Sequence, residues 1–277
     1  MTAVQTGRDR APTGTRRLTR PLLPAVLRSE WTKLRSLRST SWTLLAAGVA
    51  TVALAAVLCA KYVQLYPAQS PDDRIGFDAT ALSLSGVYLA EVALAALGTL
   101  VTTSEYSTGM IRCSLAAVPQ RRTLLLAKVL VFGAVAFVVS ELAVLAAFGV
   151  GQAILSQQHI GVSLADPHVA RAVTGAGLYL TAVSVFALAI GALLRNTAAA
   201  LSTFFAAMFA GDVMADLLPT GWRNHVINYL PTNAGTQAFT VHPSHDALSP
   251  AAGLLVLWLY PLVALAVAFL IADRRDS

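Results

Sequence analysis

Six stretches of this sequence are each long and apolar enough to cross a lipid bilayer, and that constrains the chain more than any motif in it. They are Trp42–Ala60, Ala79–Ser104, Val129–Leu155, Ala172–Leu194, Thr197–Leu218 and Ala251–Ala272. A helix needs roughly 20 mostly apolar residues to traverse the hydrocarbon core. Backbone groups in lipid must be satisfied within a helix or a closed barrel, and continuous apolar runs without period-2 alternation exclude the barrel. The expected fold class is an all-α integral membrane protein with six transmembrane helices. Composition agrees, since only 12% of the residues are charged, against about 25% in a soluble domain.

The formal net charge of +6 would raise the question of nucleic acid in a soluble protein. Its distribution answers otherwise. Residues 1–41 hold nine of the 20 Lys and Arg and two of the 14 Asp and Glu, which leaves the remainder at −1. No nucleic-acid partner is expected. Positive residues near spans are retained on the cytoplasmic side. With both termini inside, sixteen Lys and Arg lie in inner segments, and only Lys61, Arg74, Arg171 and Arg223 lie outside. The topology is therefore read as N-in/C-in. Cys59 and Cys113 then fall on opposite sides of the membrane and cannot pair. The first apolar run begins only at Trp42 and reads as a retained span rather than a signal peptide.

Residues 1–21 read as a disordered basic tail. Residues 22–41 read as an amphipathic interfacial helix, because Leu23, Leu27, Trp31, Leu34 and Leu37 form one stripe while Arg28, Lys33, Arg35 and Arg38 take other faces. The six-span domain occupies 42–272, and 273–277 form a short inner tail. Between spans 2 and 3, Ile111, Leu115 and Val118 recur at helical spacing. Gly109 relaxes the start and Pro119 stops the helix before Arg121 and Arg122. A short helix parallel to the membrane is expected there. Between spans 5 and 6, the segment 219–250 carries Trp222, Tyr229, Pro231 and Phe239. It is too polar to span and too aromatic for a plain linker, which points to interfacial or re-entrant helices.

The search for catalytic chemistry is mostly negative. The sequence has no G-x-x-x-x-G-K-[ST], no H-E-x-x-H and no C-x-x-C. His242 and His245, separated by Pro243, read as solvated loop histidines rather than metal ligands. Two acids are harder to dismiss. Glu91 and Glu141 each lie twelve residues inside their spans, near mid-depth. A charge at helix centre costs roughly 2.5–3.5 kcal/mol on insertion scales, and such residues usually face the bundle interior. No basic residue lies at that depth, so each glutamate is read as either protonated in an apolar setting or bonded to hydroxyls such as Ser85 or Ser140. A structural role, a place on a substrate path and proton coupling all remain open. Asp212 and Asp216, one turn apart near the outer end of span 5, read as a vestibule rim or cap.

The residues carry a resemblance as well. The segment Arg28-Ser-Glu-Trp-Thr-Lys-Leu-Arg-Ser-Leu-Arg-Ser-Thr-Ser-Trp-Thr-Leu44 resembles the elbow helix of the permease subunits of type 2 ATP-binding-cassette (ABC) exporters. The loop Ser104-Glu-Tyr-Ser-Thr-Gly-Met-Ile-Arg-Cys-Ser-Leu-Ala-Ala-Val-Pro-Gln-Arg-Arg122 is similar to that family's coupling-helix loop. Tyr229-Leu-Pro-Thr-Asn-Ala-Gly235 is similar to its outer re-entrant region. The resemblance implies a non-catalytic permease subunit in the bacterial cytoplasmic membrane. Its partners would be a separate ATPase subunit and a second permease, identical or paralogous. It also implies no cofactor in this chain, with ATP and Mg bound by the ATPase. Glu105, Tyr106, Gly109, Arg112, Pro119, Arg121 and Arg122 would then make up the coupling site. The alternative is a proton-coupled secondary transporter using Glu91 and Glu141, but no internal repeat of the usual kind is visible. The largely apolar spans mildly favour an amphiphilic or hydrophobic substrate.

Overall fold

The computed structural model describes residues 23–274 apart from 37, 72, 73, 75, 119, 216, 218, 244 and 245. All regular structure among the described residues is helical. The expected tail 1–21, Pro119, Asp216 and His245 lie outside them.

A short helix α1 (Leu23–Ser36) leads into the long α2 (Arg38–Leu65). After a connection come α3 (Ala79–Ser83), α4 (Val87–Ser107), α5 (Met110–Ala117), α6 (Arg121–Leu155) and α7 (Val169–Leu194). Next are α8 (Thr197–Phe205), α9 (Gly211–Ala215), α10 (Thr220–Val226), α11 (Pro231–Thr236) and the long α12 (Pro250–Arg274). Among the described residues, six helical runs are long and apolar enough to cross a membrane: α2, α4, α6, α7, the α8–α9 run and α12.

The bundle is built around α7, which is buried along nearly its whole length and packs against α4, α6, α8 and α12. Its closest neighbour is α4. A Cβ added at Gly98 would lie 2.4 Å from the Ser184 carbonyl oxygen, and one at Gly191 would lie 2.3 Å from Thr102 Oγ1. Apolar side chains gain little from leaving lipid for protein, so helices in a membrane associate where small residues let backbones approach. Gly98 and Gly191 supply that approach.

Three spans depart from their expected outlines. The second is broken: Asp78 caps α3 by accepting from the Thr80 and Ala81 amides, and α4 restarts only at Val87. At the break the chain lies close against α2, since a Cβ at Gly86 would lie 2.1 Å from the Thr51 carbonyl oxygen. The third is longer than expected, with 35 residues, or about 52 Å at 1.5 Å per residue. It therefore overhangs a hydrocarbon core of about 30 Å and begins at Arg121 rather than Val129. The fifth widens into a π turn at Ala206–Ala210. The Met208 carbonyl there accepts the Thr232 hydroxyl at 2.7 Å, which satisfies an acceptor inside the disturbed turn.

Candidate functional site

At the end of the bundle that carries α1 and α5, four charged side chains meet below the membrane-spanning core. Glu30 comes from α1, Lys33 from one turn further on, Glu105 from the end of α4 and Lys128 from the second turn of α6. Lys128 Nζ donates to Glu30 Oε2 and to Glu105 Oε1, both at 2.8 Å. Lys33 Nζ donates to Glu30 Oε1 at 2.6 Å and Glu105 Oε1 at 3.0 Å. The two carboxylates are almost fully buried, Lys128 is buried, and Lys33 keeps 27% of its side chain exposed. Two cations and two anions make the cluster neutral, the condition under which buried charge is tolerated. Burial alone would lower the Lys33 pKa, but bonds to Glu30 and Glu105 outweigh it and hold Lys33 above its ordinary 10.5.

The same quartet fixes α5. Lys33 Nζ also donates to Ser114 Oγ at 3.0 Å. Around it, Ile111 and Leu115 of α5 pack on Val26 and Leu27 of α1 and on Leu124 and Ala127 of α6, with Val118 buried among them. Gly109 sits at φ +72, a conformation an L side chain rarely adopts, and this lets the chain turn sharply from α4 into α5. The opposite face of α5, with Met110, Arg112 and Cys113, is exposed.

The structure thus divides the residues expected to form the coupling site. Glu105 is internal and ties helices together, while Arg112 projects outward. Tyr106 lies under the Arg195 guanidinium, 5.0 Å from ring centroid to Cζ, which joins the end of α4 to the end of α7. Arg121 and Arg122 open α6, the first half-buried and the second exposed. The α1 stripe also resolves into two faces. Val26 and Glu30 point into the bundle, whereas Leu23 and Trp31 are exposed.

The mid-span acids occupy separate environments. Glu91 is 1% exposed, and its Oε2 accepts the Tyr179 hydroxyl of α7 at 2.8 Å. Its Oε1 has no hydrogen-bond partner among the described residues. Glu141 is half-buried with its carboxyl group seated on Gly177, where an added Cβ would lie 2.3 Å from Cδ. Neither serine considered as a partner serves: Ser85 Oγ and Ser140 Oγ both lack partners among the described residues. Ser140 precedes Glu141 on α6, and adjacent helical residues do not face each other. Gly177 and Tyr179 are two residues apart, about 200° around the helix at 100° per residue. The two carboxyl groups therefore meet opposite faces of α7.

At the other end of the bundle, α11 folds back onto the spans. Gly235 lies against the Tyr179 ring and Gly253 of α12 against the Ala234 carbonyl. Asn233 Nδ2 donates to Asp212 Oδ1, and Arg171 donates to the carbonyls of Ala238 and Thr240. Asp212 is thus a tether for the returning segment. His242 is exposed, with Nδ1 3.9 Å from Asp78 Oδ2.

Sequence reasoning passed over Glu30, Lys33, Lys128 and Tyr179 as site residues. Glu30 did carry a signal, because an acid three residues after Leu27 and four before Leu34 interrupts an otherwise apolar stripe. Tyr179 carried none, being one aromatic in an apolar run.

The family model for "ABC-2 family transporter protein" matches residues 26–211, which takes in α1, the quartet, α5 and the spans as far as the start of α9. The chain belongs to that family. No curated protein matches it. An ABC-2 chain with six membrane-crossing helices is a multi-pass permease subunit of an ABC transporter. The ABC-2 family is generally one of non-catalytic membrane subunits, and membership implies an ATPase partner.

Proposed function

We propose that this ABC-2 chain is the membrane subunit of an ATP-driven exporter in a bacterial plasma membrane, with α1 and α5 on the cytoplasmic side. A separate ATPase subunit, which holds ATP and Mg, docks on the exposed face of α5 around Arg112. A second permease, identical or paralogous, completes the translocation path. This chain needs no cofactor of its own.

The buried quartet carries this reading. Force applied to a loose loop would be lost in local bending, whereas α5 is bonded through Lys33 and Ser114 to α1 and, through Glu105 and Lys128, to α4 and α6. A push on α5 then moves three helices together as a rigid body. Helix α4 continues from Glu105 to Glu91, where Tyr179 links it to the helix on which α11 rests. Docking at one end thereby acts on the returning segment at the other. Arg112 supplies a contact, Gly109 the turn, and Glu105 the anchorage. Tyr106, with Arg195, spreads the load to α7.

The test is coexpression with the cognate ATPase. The purified permease alone should hydrolyse no ATP and the complex should. Arg112→Glu should lower turnover severalfold while leaving the permease folded. Unchanged assembly and turnover in that variant would remove α5 as the docking element. A proton-driven carrier using Glu91 and Glu141 is served less well, because α7 stands between the two carboxyl groups. Nucleotide-free transport down a pH gradient, abolished in Glu91→Gln, would replace the exporter reading.

A further inference from the structure

Helix α5 turns Ile111, Ser114 and Leu115 toward α1 and α6 and leaves Met110, Arg112, Cys113, Ala116 and Ala117 exposed. Arg112 is the one basic or acidic residue in this helix. Its guanidinium makes no hydrogen bond, ion pair or ring contact among the described residues. Nor does this end of the chain hold an acid that could turn toward it. Among the described side chains the acids here are Glu30 and Glu105, each 3% exposed and each bonded to both Lys33 and Lys128. Arg28, Arg35 and Arg38 are exposed as well, so the outward charge of these helices is positive.

That arrangement sets a condition on whatever covers α5. Ala116 and Ala117 are small and Met110 is flexible, so a partner surface can approach closely and strip water from Arg112. A cation stripped of water without a counter-charge opposes association. This chain offers no exposed carboxylate beside α5, so the counter-charge has to come from the partner. The guanidinium is a planar fork that fits a carboxylate through two parallel bonds. Anionic lipid head groups would meet the same charge, but α5 has no aromatic ring and its exposed face carries one large apolar side chain, Met110. Side chains suited to head-group level are on α1, where Leu23 and Trp31 are exposed. The outward face of α5 therefore suits a protein surface rather than a lipid one.

We propose that the ATPase surface receiving α5 presents an Asp or Glu carboxylate that accepts two hydrogen bonds from the Arg112 guanidinium, and that this ion pair, closed off from water, is the specific contact of the docked complex. The inference rests on the docking of α5 and adds the chemistry of the surface it meets.

Affinity of the purified full-length permease for its cognate ATPase is measured for the unaltered chain and for Arg112→Lys, Arg112→Gln, Arg112→Glu and Ala116→Trp, the last a steric block on the same exposed face. Loss of one member of a desolvated charge pair weakens an interface about thirtyfold or more. Arg112→Gln should therefore weaken binding by about that factor, Arg112→Lys by less and Arg112→Glu by more. In the Arg112→Glu background, each exposed Asp and Glu of the ATPase is then changed to Lys. One such change should recover about tenfold of the lost affinity, and should itself weaken binding to the unaltered permease. Full affinity in Arg112→Gln together with loss in Ala116→Trp keeps α5 as the docking element and overturns the carboxylate. Failure of every Lys replacement to restore Arg112→Glu overturns it as well. Full affinity in both Ala116→Trp and Arg112→Glu instead overturns the docking of α5 itself. If Arg112→Gln keeps its ATPase but retains fewer phosphatidylglycerol molecules in native mass spectrometry, Arg112 serves lipid and the carboxylate is again overturned.

Discussion

Glu105 and Glu91 stand on the same helix, fourteen residues apart, and both are almost wholly buried. One is surrounded by two ammonium groups, the other meets a single phenol. Glu105 therefore belongs to a neutral ionic cluster that holds several helices at fixed distances, and its loss is a loss of assembly. Glu91 belongs to a half-satisfied pair with one idle oxygen, and such a pair constrains position more loosely. Burial and residue type alone do not distinguish an anchor from a movable contact, whereas the number of bonds its partners make does.

The sharpest way to break the comparison is Lys128→Met. It leaves two buried carboxylates facing only Lys33, and removing one partner of a buried ion pair costs about 3–5 kcal/mol. Detergent-solubilised protein should melt at markedly lower temperature. Adding Glu30→Leu restores neutrality and should recover much of the loss. If the double variant is no more stable than the single one, charge balance is not what holds this end.

Gly98 lies midway between the two acids, at successive steps of seven, and its replacement should strain both. Gly98→Ala drives a methyl group into the Ser184 carbonyl, a backbone atom that cannot step aside. Overpacking of this kind costs about 1–3 kcal/mol. For Gly177→Ala the nearest atoms are the carboxyl group of Glu141, the end of a flexible side chain, and the change should cost less than Gly98→Ala. Thermal unfolding of the two variants side by side reads the difference.

Tyr179→Phe deprives Glu91 of its only donor among the described residues. An unsatisfied buried polar group costs about 1–3 kcal/mol, offset here by local rearrangement that a single phenol permits. Glu91→Gln keeps an acceptor for Tyr179 and should cost less. Thermal unfolding should rank Tyr179→Phe below Glu91→Gln, both milder than Lys128→Met.

The smallest effect is a pH dependence at the quartet. Because Lys33 is held above 10.5 in the fold, its contribution is complete below that value and fades as pH rises through the folded pKa. Alkaline titration should therefore loosen α1 and α5 first, seen as faster amide exchange there than in α7. Lys33→Met should abolish the alkaline step.

Much of this fold was legible in the sequence because membrane spans are written in composition. Glu91 and Glu141 stood out for the same reason, as exceptions to it. The partner of Glu91 did not, because Tyr179 lies 88 residues away, and neither did the quartet, because Glu30 and Lys128 are 98 residues apart and no local periodicity encodes such pairings. At the break before α4, Gly86 meets Thr51, and at the π turn Thr232 reaches Met208. Both are contacts between segments, invisible to a window sliding along one of them. The short helix after Gly109 was readable from its spacing, but the separation of Glu105 from Arg112 into inner and outer roles required the packing of α1 beneath them.

The quartet also orders events during synthesis. Glu30, Lys33 and Glu105 leave the ribosome before Lys128, which follows Glu105 by 23 residues. At about 5–20 residues per second, the nascent chain spends on the order of a few seconds with one more carboxylate than ammonium at this junction. The charge balance of this junction is thus complete only once the start of the third span has been made.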